Sequence, residues 1–140
     1  MIELDNRTSL EVDEQLLANI TKTLTKKDIE LIITTDDEIR GINKEHRNID
    51  KATDVLSFPY EKMPMSPLGS IVISSSHVEQ KAKELSHANS DELTLLFIHG
   101  LLHLLGFDHE VDNGEMRIIE ESILQEMNLP KSLIVRTKGF

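Results

Sequence analysis

The longest apolar stretch of the chain, Leu93 to Phe107, carries two histidines, His99 and His103. It is too short to span a membrane, so it reads as a buried helix. Residues four apart in a helix lie on one face about one turn from each other, which stacks the two imidazoles. Gly106 then takes the left-handed conformation that ends a helix, so the chain doubles back and delivers His109 from outside the helix axis. Three imidazoles converge on one point in this reading. A three-histidine site leaves a fourth position for water, the arrangement of catalytic rather than structural zinc.

A lone histidine on an apolar helix is ordinarily a hydrogen-bonded core residue. Three in the order H-x-x-x-H-x-x-G-x-x-H are different, because that spacing reproduces the metzincin ligand pattern with its glycine. Gly100 stands where that pattern has a glutamate. In peptidases of this type the glutamate takes a proton from the attacking water, and glycine has no side chain for the task. The spacing favours a metal site while Gly100 disfavours a peptidase.

With 140 residues the chain fits one domain, residues 1–140. It contains no cysteine, so a transition metal would be held by His, Asp or Glu. The start, MIELDNRTSLEVDEQ, lacks the basic and apolar regions of a signal peptide, which favours a cytoplasmic protein without a membrane segment. A formal net charge of -10 works against unaided polyanion binding, since nucleic-acid affinity rests largely on Lys and Arg. An RNA substrate would therefore require a local basic patch.

Along the chain, Ile2 and Leu4 suggest a short strand, and Val12 to Leu24 an amphipathic helix. Residues 28–34 read as a strand, followed by a helix capped by Asp36 or Asp37 and running to about Glu45. Asp54 to Phe58, closed by Pro59, and Gly69 to Ser74 read as two more strands. Between them the loop Lys62 to Pro67 is the segment expected to be mobile. Ser76 with Glu79 suggests a capping box before Val78 to Leu85, and Ser90 with Asp91 and Glu92 marks the start of the histidine helix. Asp112 with Glu115 opens a last helix whose apolar line is Met116, Ile119, Ile123 and Met127. Strands early and helices late indicate an α+β domain: a small mixed sheet of about four strands packed by helices, with a zinc site at a helix end.

Two blocks of sequence resemble the YbeY family of bacterial metal-dependent endoribonucleases, or rRNA maturation factors. The first is the run from His99 to His109, similar to H-G-x-L-H-L-x-G-[YF]-D-H. The second joins Asn43-Lys44-Glu45-His46-Arg47 to Thr53-Asp54-Val55-Leu56-Ser57-Phe58-Pro59, similar to N-x-x-x-R and T-D-V-L-S-F-P. The resemblance implies one zinc ion per chain on His99, His103 and His109, and no organic cofactor. It also implies Arg47 in the cleft beside the metal, and action on the 3′ end of small-subunit rRNA and in ribosome quality control. Where the family usually reads G-D-I, this chain has Gly69-Ser70-Ile71.

Arg47 is the expected catalytic clamp, because a guanidinium offers paired donors to a phosphate and stays charged. Asp108 either supports a ligand histidine or caps a turn. Asp108, Glu110 and the metal hydroxide all remain candidates for the proton acceptor. Lys44, Arg47 and Lys51, with Arg40, form the expected RNA-binding patch. His46 is read as a surface residue beside it, and His77 and His87 are assigned no role. The alternatives are a non-enzymatic ribosome assembly factor with a structural zinc, or a metal-dependent hydrolase of another class.

Overall fold

The computed structural model describes residues 1–61, 63, 65–108, 110–131 and 133. Four strands form one sheet in the order β1-β2-β4-β3: β1 (Ile2–Asn6), β2 (Ile29–Thr34), β3 (Val55–Pro59) and β4 (Gly69–Ser74). β1, β2 and β4 run parallel, while β3 runs antiparallel to β4 at the sheet edge. Five helices of the described residues pack on it: α1 (Glu14–Leu24), α2 (Asp36–Arg47), α3 (Ser75–Leu85), α4 (Asn89–Leu104) and α5 (Glu115–Glu126). The α+β class and the four-strand mixed sheet agree with the sequence reading. No helix among the described residues is long and apolar enough to cross a membrane.

The strand registers divide the sheet into two faces. Leu31, Ile33, Ile71 and Ile73 face the main core, where Leu17 and Ile20 of α1, Val78 of α3 and much of α4 are buried. Leu56 and Val72 face the other way and pack with Ile39 of α2 in a second, smaller core. Because both faces are covered, every residue of β4 is buried. α4 is buried from Glu92 to Leu102, as a helix apolar on all sides must be.

Several helix starts differ from the sequence reading: α1 begins at Glu14 rather than Val12, α4 begins at Asn89 rather than Ser90, and the caps of α2 and α3 are other residues. Thr35, not Asp36 or Asp37, caps α2, its side chain accepting from the Glu38 N–H. Asp36 is drawn instead to α3, where its carboxylate accepts from Ser74 Oγ at 2.5 Å and pairs with His77 Nδ1 at 2.6 Å. Ser74, not Ser76 with Glu79, caps α3, because β4 runs straight into the helix and its last residue has the extended backbone a cap needs. α2 also continues to Arg47, where Asn48 ends it in the left-handed conformation with φ 58°. Part of the loop expected to be mobile, residues 62 and 64, lies outside the described residues.

Candidate active site

A cleft of about 420 Å³ lies where four segments meet. α4 contributes His99 and His103, the end of α2 contributes Arg47, and the turn after α4 contributes Asp108 and Glu110. The fourth wall is β3, through Val55, Ser57 and Pro59, with Asp54 immediately before it.

α4 reaches this wall because residue 100 has no side chain. A Cβ there would lie 2.9 Å from Ile71 Cγ2 and 3.1 Å from Ser57 Oγ. The close approach lets Ser57 Oγ donate to the Gly100 carbonyl at 3.1 Å. A glutamate at this position has no space, so the general base of the metzincin pattern is sterically barred as well as absent.

The two histidines are held by their outer nitrogens. His99 Nδ1 lies 2.7 Å from Glu120 Oε1 of α5, with both side chains almost fully buried. His103 Nδ1 donates to the Phe107 carbonyl at 3.0 Å. That carbonyl is delivered by the helix end: Gly106 has φ 99°, its N–H bonds to His103 O, and the Phe107 N–H returns to Leu102 O. This is the Schellman arrangement that a left-handed glycine permits. A carbonyl only accepts, so His103 carries its proton on Nδ1, and the Glu120 carboxylate favours the same tautomer in His99.

Both Nε2 lone pairs consequently aim into the cleft and converge at 3.1 Å. The rings stand nearly perpendicular, with centroids 4.6 Å apart. Two imidazoles on one tetrahedral zinc, with bonds of about 2.0–2.1 Å, place their nitrogens roughly 3.3 Å apart. His99 and His103 therefore fit two positions of such a site, with the carboxylate and carbonyl support usual for metal-bound histidines. His109 lies outside the described residues, and among those described no group of three or more potential ligands is gathered.

The sequence profile described as endoribonuclease YbeY matches residues 2–128. The chain belongs to this family. It is 65% identical to an endoribonuclease YbeY from Sulfurimonas denitrificans, covering 99% of this chain and 100% of that protein. It is also 50% identical to one from Helicobacter pylori, over 99% of each. The solution structure of TM1509 from Thermotoga maritima superposes with a TM-score of 0.63 at 30% identity, covering 91% of this chain and 89% of that one.

Within this YbeY-family fold, Arg47 is the last residue of α2 and forms no salt bridge among the described residues. Arg40 is tied up: its guanidinium bonds Asp50 at 2.8 Å. That hydrogen bond raises the Arg40 pKa and holds the Asp50 carboxyl below its ordinary range. Lys44 and Lys51 flank Arg47 and do not line the cleft.

Asp108 lines the cleft but acts locally as a turn cap, accepting from the Glu110 N–H at 3.0 Å. Neither His99 nor His103 uses it as a hydrogen-bond acceptor; Glu120 and the Phe107 carbonyl take that part. Glu120 was missed by sequence reasoning, although one signal existed. It sits four residues after Met116, a charged residue on the buried stripe of α5, where an unpaired carboxylate would not be tolerated.

Ser70 is not in the cleft. It pairs in register with Glu30 and Phe58 on the α2 face of the sheet. His46 packs on Phe58 on that face, with ring centroids 5.2 Å apart. His77 and His87 do have partners, Asp36 and Glu92, and none of the four lines the cleft.

Proposed function

We propose that this YbeY-family endoribonuclease is zinc-dependent, with one ion held by His99, His103 and His109 and with Arg47 as the catalytic clamp. Its substrate is single-stranded RNA in the maturation of small-subunit rRNA and in ribosome quality control, with the ribosome as its cytoplasmic partner. The observation that carries the metal reading is the convergence of His99 and His103 through Nε2 while Glu120 and the Phe107 carbonyl hold their Nδ1 atoms.

A zinc ion bound there supplies Lewis acidity to a phosphoryl oxygen and to water activation. The chain's own residues do the rest. Arg47 donates paired hydrogen bonds to non-bridging phosphate oxygens and keeps its charge at any working pH. Asp54, Asp108 and Glu110 also line the cleft and repel phosphate, so Arg47 and the bound ion are the groups there that would attract it. The burial of His99 and Glu120 holds that imidazole in a fixed orientation, while Arg47 stays exposed where an incoming strand can reach it.

The test offers labelled single-stranded RNA and casein side by side to untagged protein of measured metal content. RNA cleavage without casein cleavage is expected, and it should disappear with the metal or in His103→Ala. Casein cleavage, or RNA cleavage that survives both treatments, refutes the reading.

A further inference from the structure

Among the described residues the outer edge of β3 is unpaired, and its hydrogen-bonding phase can be read from the ladder. The Ser74 N–H donates to Asp54 O at 3.0 Å and the Tyr60 N–H to Leu68 O at 3.0 Å, at either end of the β3–β4 pairing. In an antiparallel pair, residues alternate between exchanging both backbone bonds with the partner and pointing both groups away. Leu56 and Phe58 thus spend their backbone groups on β4. Val55, Ser57 and Pro59 turn theirs outward, and these are the three β3 residues that line the cleft. The Val55 N–H is already taken by Asp54 Oδ1 at 2.8 Å, and proline has no N–H. Ser57 is left with the one outward donor of the edge, next to its own outward carbonyl, and neither has a hydrogen-bond partner among the described residues.

A phosphate has only acceptor oxygens. The edge presents one N–H among three outward carbonyls, beside Asp54, Asp108 and Glu110, and this surface repels phosphate. It suits a group that both donates and accepts side by side, as the Watson–Crick edge of every base does. We propose that the outward N–H and C=O of Ser57 pair with the Watson–Crick edge of an unpaired base next to the scissile phosphate, so that β3 selects single-stranded RNA while Arg47 takes the phosphate. This rests on the endoribonuclease reading and adds the device that distinguishes single strands. In a duplex, that base edge is already occupied.

Ser57→Pro deletes the outward donor without removing a bond to β4, and Pro59 occupies the same phase two residues later. Ser57→Ala is its control, since both variants lose the side-chain bond to Gly100 O. Cleavage of a single-stranded oligoribonucleotide is compared with that of the same strand bearing abasic sites around the cut. Expected is a fall in kcat/KM of about 10-fold for Ser57→Pro relative to Ser57→Ala on the intact strand, the scale of one lost hydrogen bond. On the abasic strand the two variants should cleave alike. Equal cleavage of the intact strand by both variants overturns the proposal, as does a wild type that ignores base removal. If the wild type cleaves no RNA, the endoribonuclease reading fails instead. Should Ser57→Pro not fold, amide hydrogen exchange in the wild type decides: the intact strand must slow exchange at Ser57 and the abasic strand must not.

Discussion

Replacing Glu120 by leucine should weaken metal binding by 10–100-fold. The carboxylate lies 2.7 Å from His99 Nδ1, and the two side chains are 3% and 7% exposed, so water cannot substitute for it. The loss leaves a buried N–H without an acceptor, worth about 1–3 kcal/mol. That range agrees with the 10–100-fold cost of removing the outer partner of a metal-bound histidine, since tenfold is about 1.4 kcal/mol. Leucine has nearly the volume of glutamate and relieves a buried carboxylate, so the metal-free fold should survive. Glu120→Gln retains an oxygen that accepts from Nδ1–H but lacks the charge, and should lose about tenfold or less. The assay is competition with a chromogenic chelator on untagged protein, with urea midpoints of the metal-free forms as the folding check. A leucine variant that folds and binds zinc as tightly as wild type would reduce Glu120 to a tie between α4 and α5.

Arg47→Ala should keep metal content and melting temperature while RNA cleavage falls by about 10²-fold or more, the usual loss of an electrostatic stabiliser; Arg47→Lys should recover part of it, because charge returns without the paired donors. Gly41→Ala and Gly100→Ala should move stability in opposite directions in urea melts. A Cβ at Gly41 meets nothing within 4 Å, and helix propensity alone favours alanine there by about 1 kcal/mol, whereas at Gly100 it meets Ile71 at 2.9 Å and overpacking costs about 1–3 kcal/mol. Tyr60 is the sole tyrosine, so absorbance at alkaline pH reads it alone. Its hydroxyl donates to Glu30 Oε2 at 2.6 Å, which raises its pKa above the ordinary 10.0, with partial burial adding to the rise. The folded state thus holds the proton more tightly than the unfolded chain, and this contribution to stability is present below pH 10 and lost as pH climbs through the raised value. Glu30→Gln should return the midpoint towards 10.0, and an unchanged midpoint would refute the assignment.

What was legible in the sequence was local. His99 and His103 share a helix face by arithmetic, and Gly106 closes the helix because only its left-handed φ lets Phe107 turn back. The exact caps were not legible: Asp36 has the right chemistry for an N-cap, but tertiary packing commits its carboxylate to Ser74 and His77, leaving the task to Thr35. Glu120 is 21 positions from His99, and nothing before the docking of α5 brings them together. The free edge of β3 was hidden for a related reason. Strand pattern announces which residues alternate, whereas the phase of the ladder depends on the partner strand and the direction in which it runs.

The contact between Gly100 and Ser57 joins these parts. The same missing side chain that removes the peptidase base lets α4 sink against β3, and Ser57 Oγ then holds the helix backbone between His99 and His103 to the edge strand. Histidines and strand are therefore tied directly to each other, so the distance from an imidazole to the outward Ser57 amide is set by packing rather than by a loop. In an acidic chain with few cations near the cleft, such rigidity has a consequence. Under the proposed base contact, register along the RNA comes from a fixed spacing between the Ser57 edge that grips a base and the groups that act on its neighbouring phosphate.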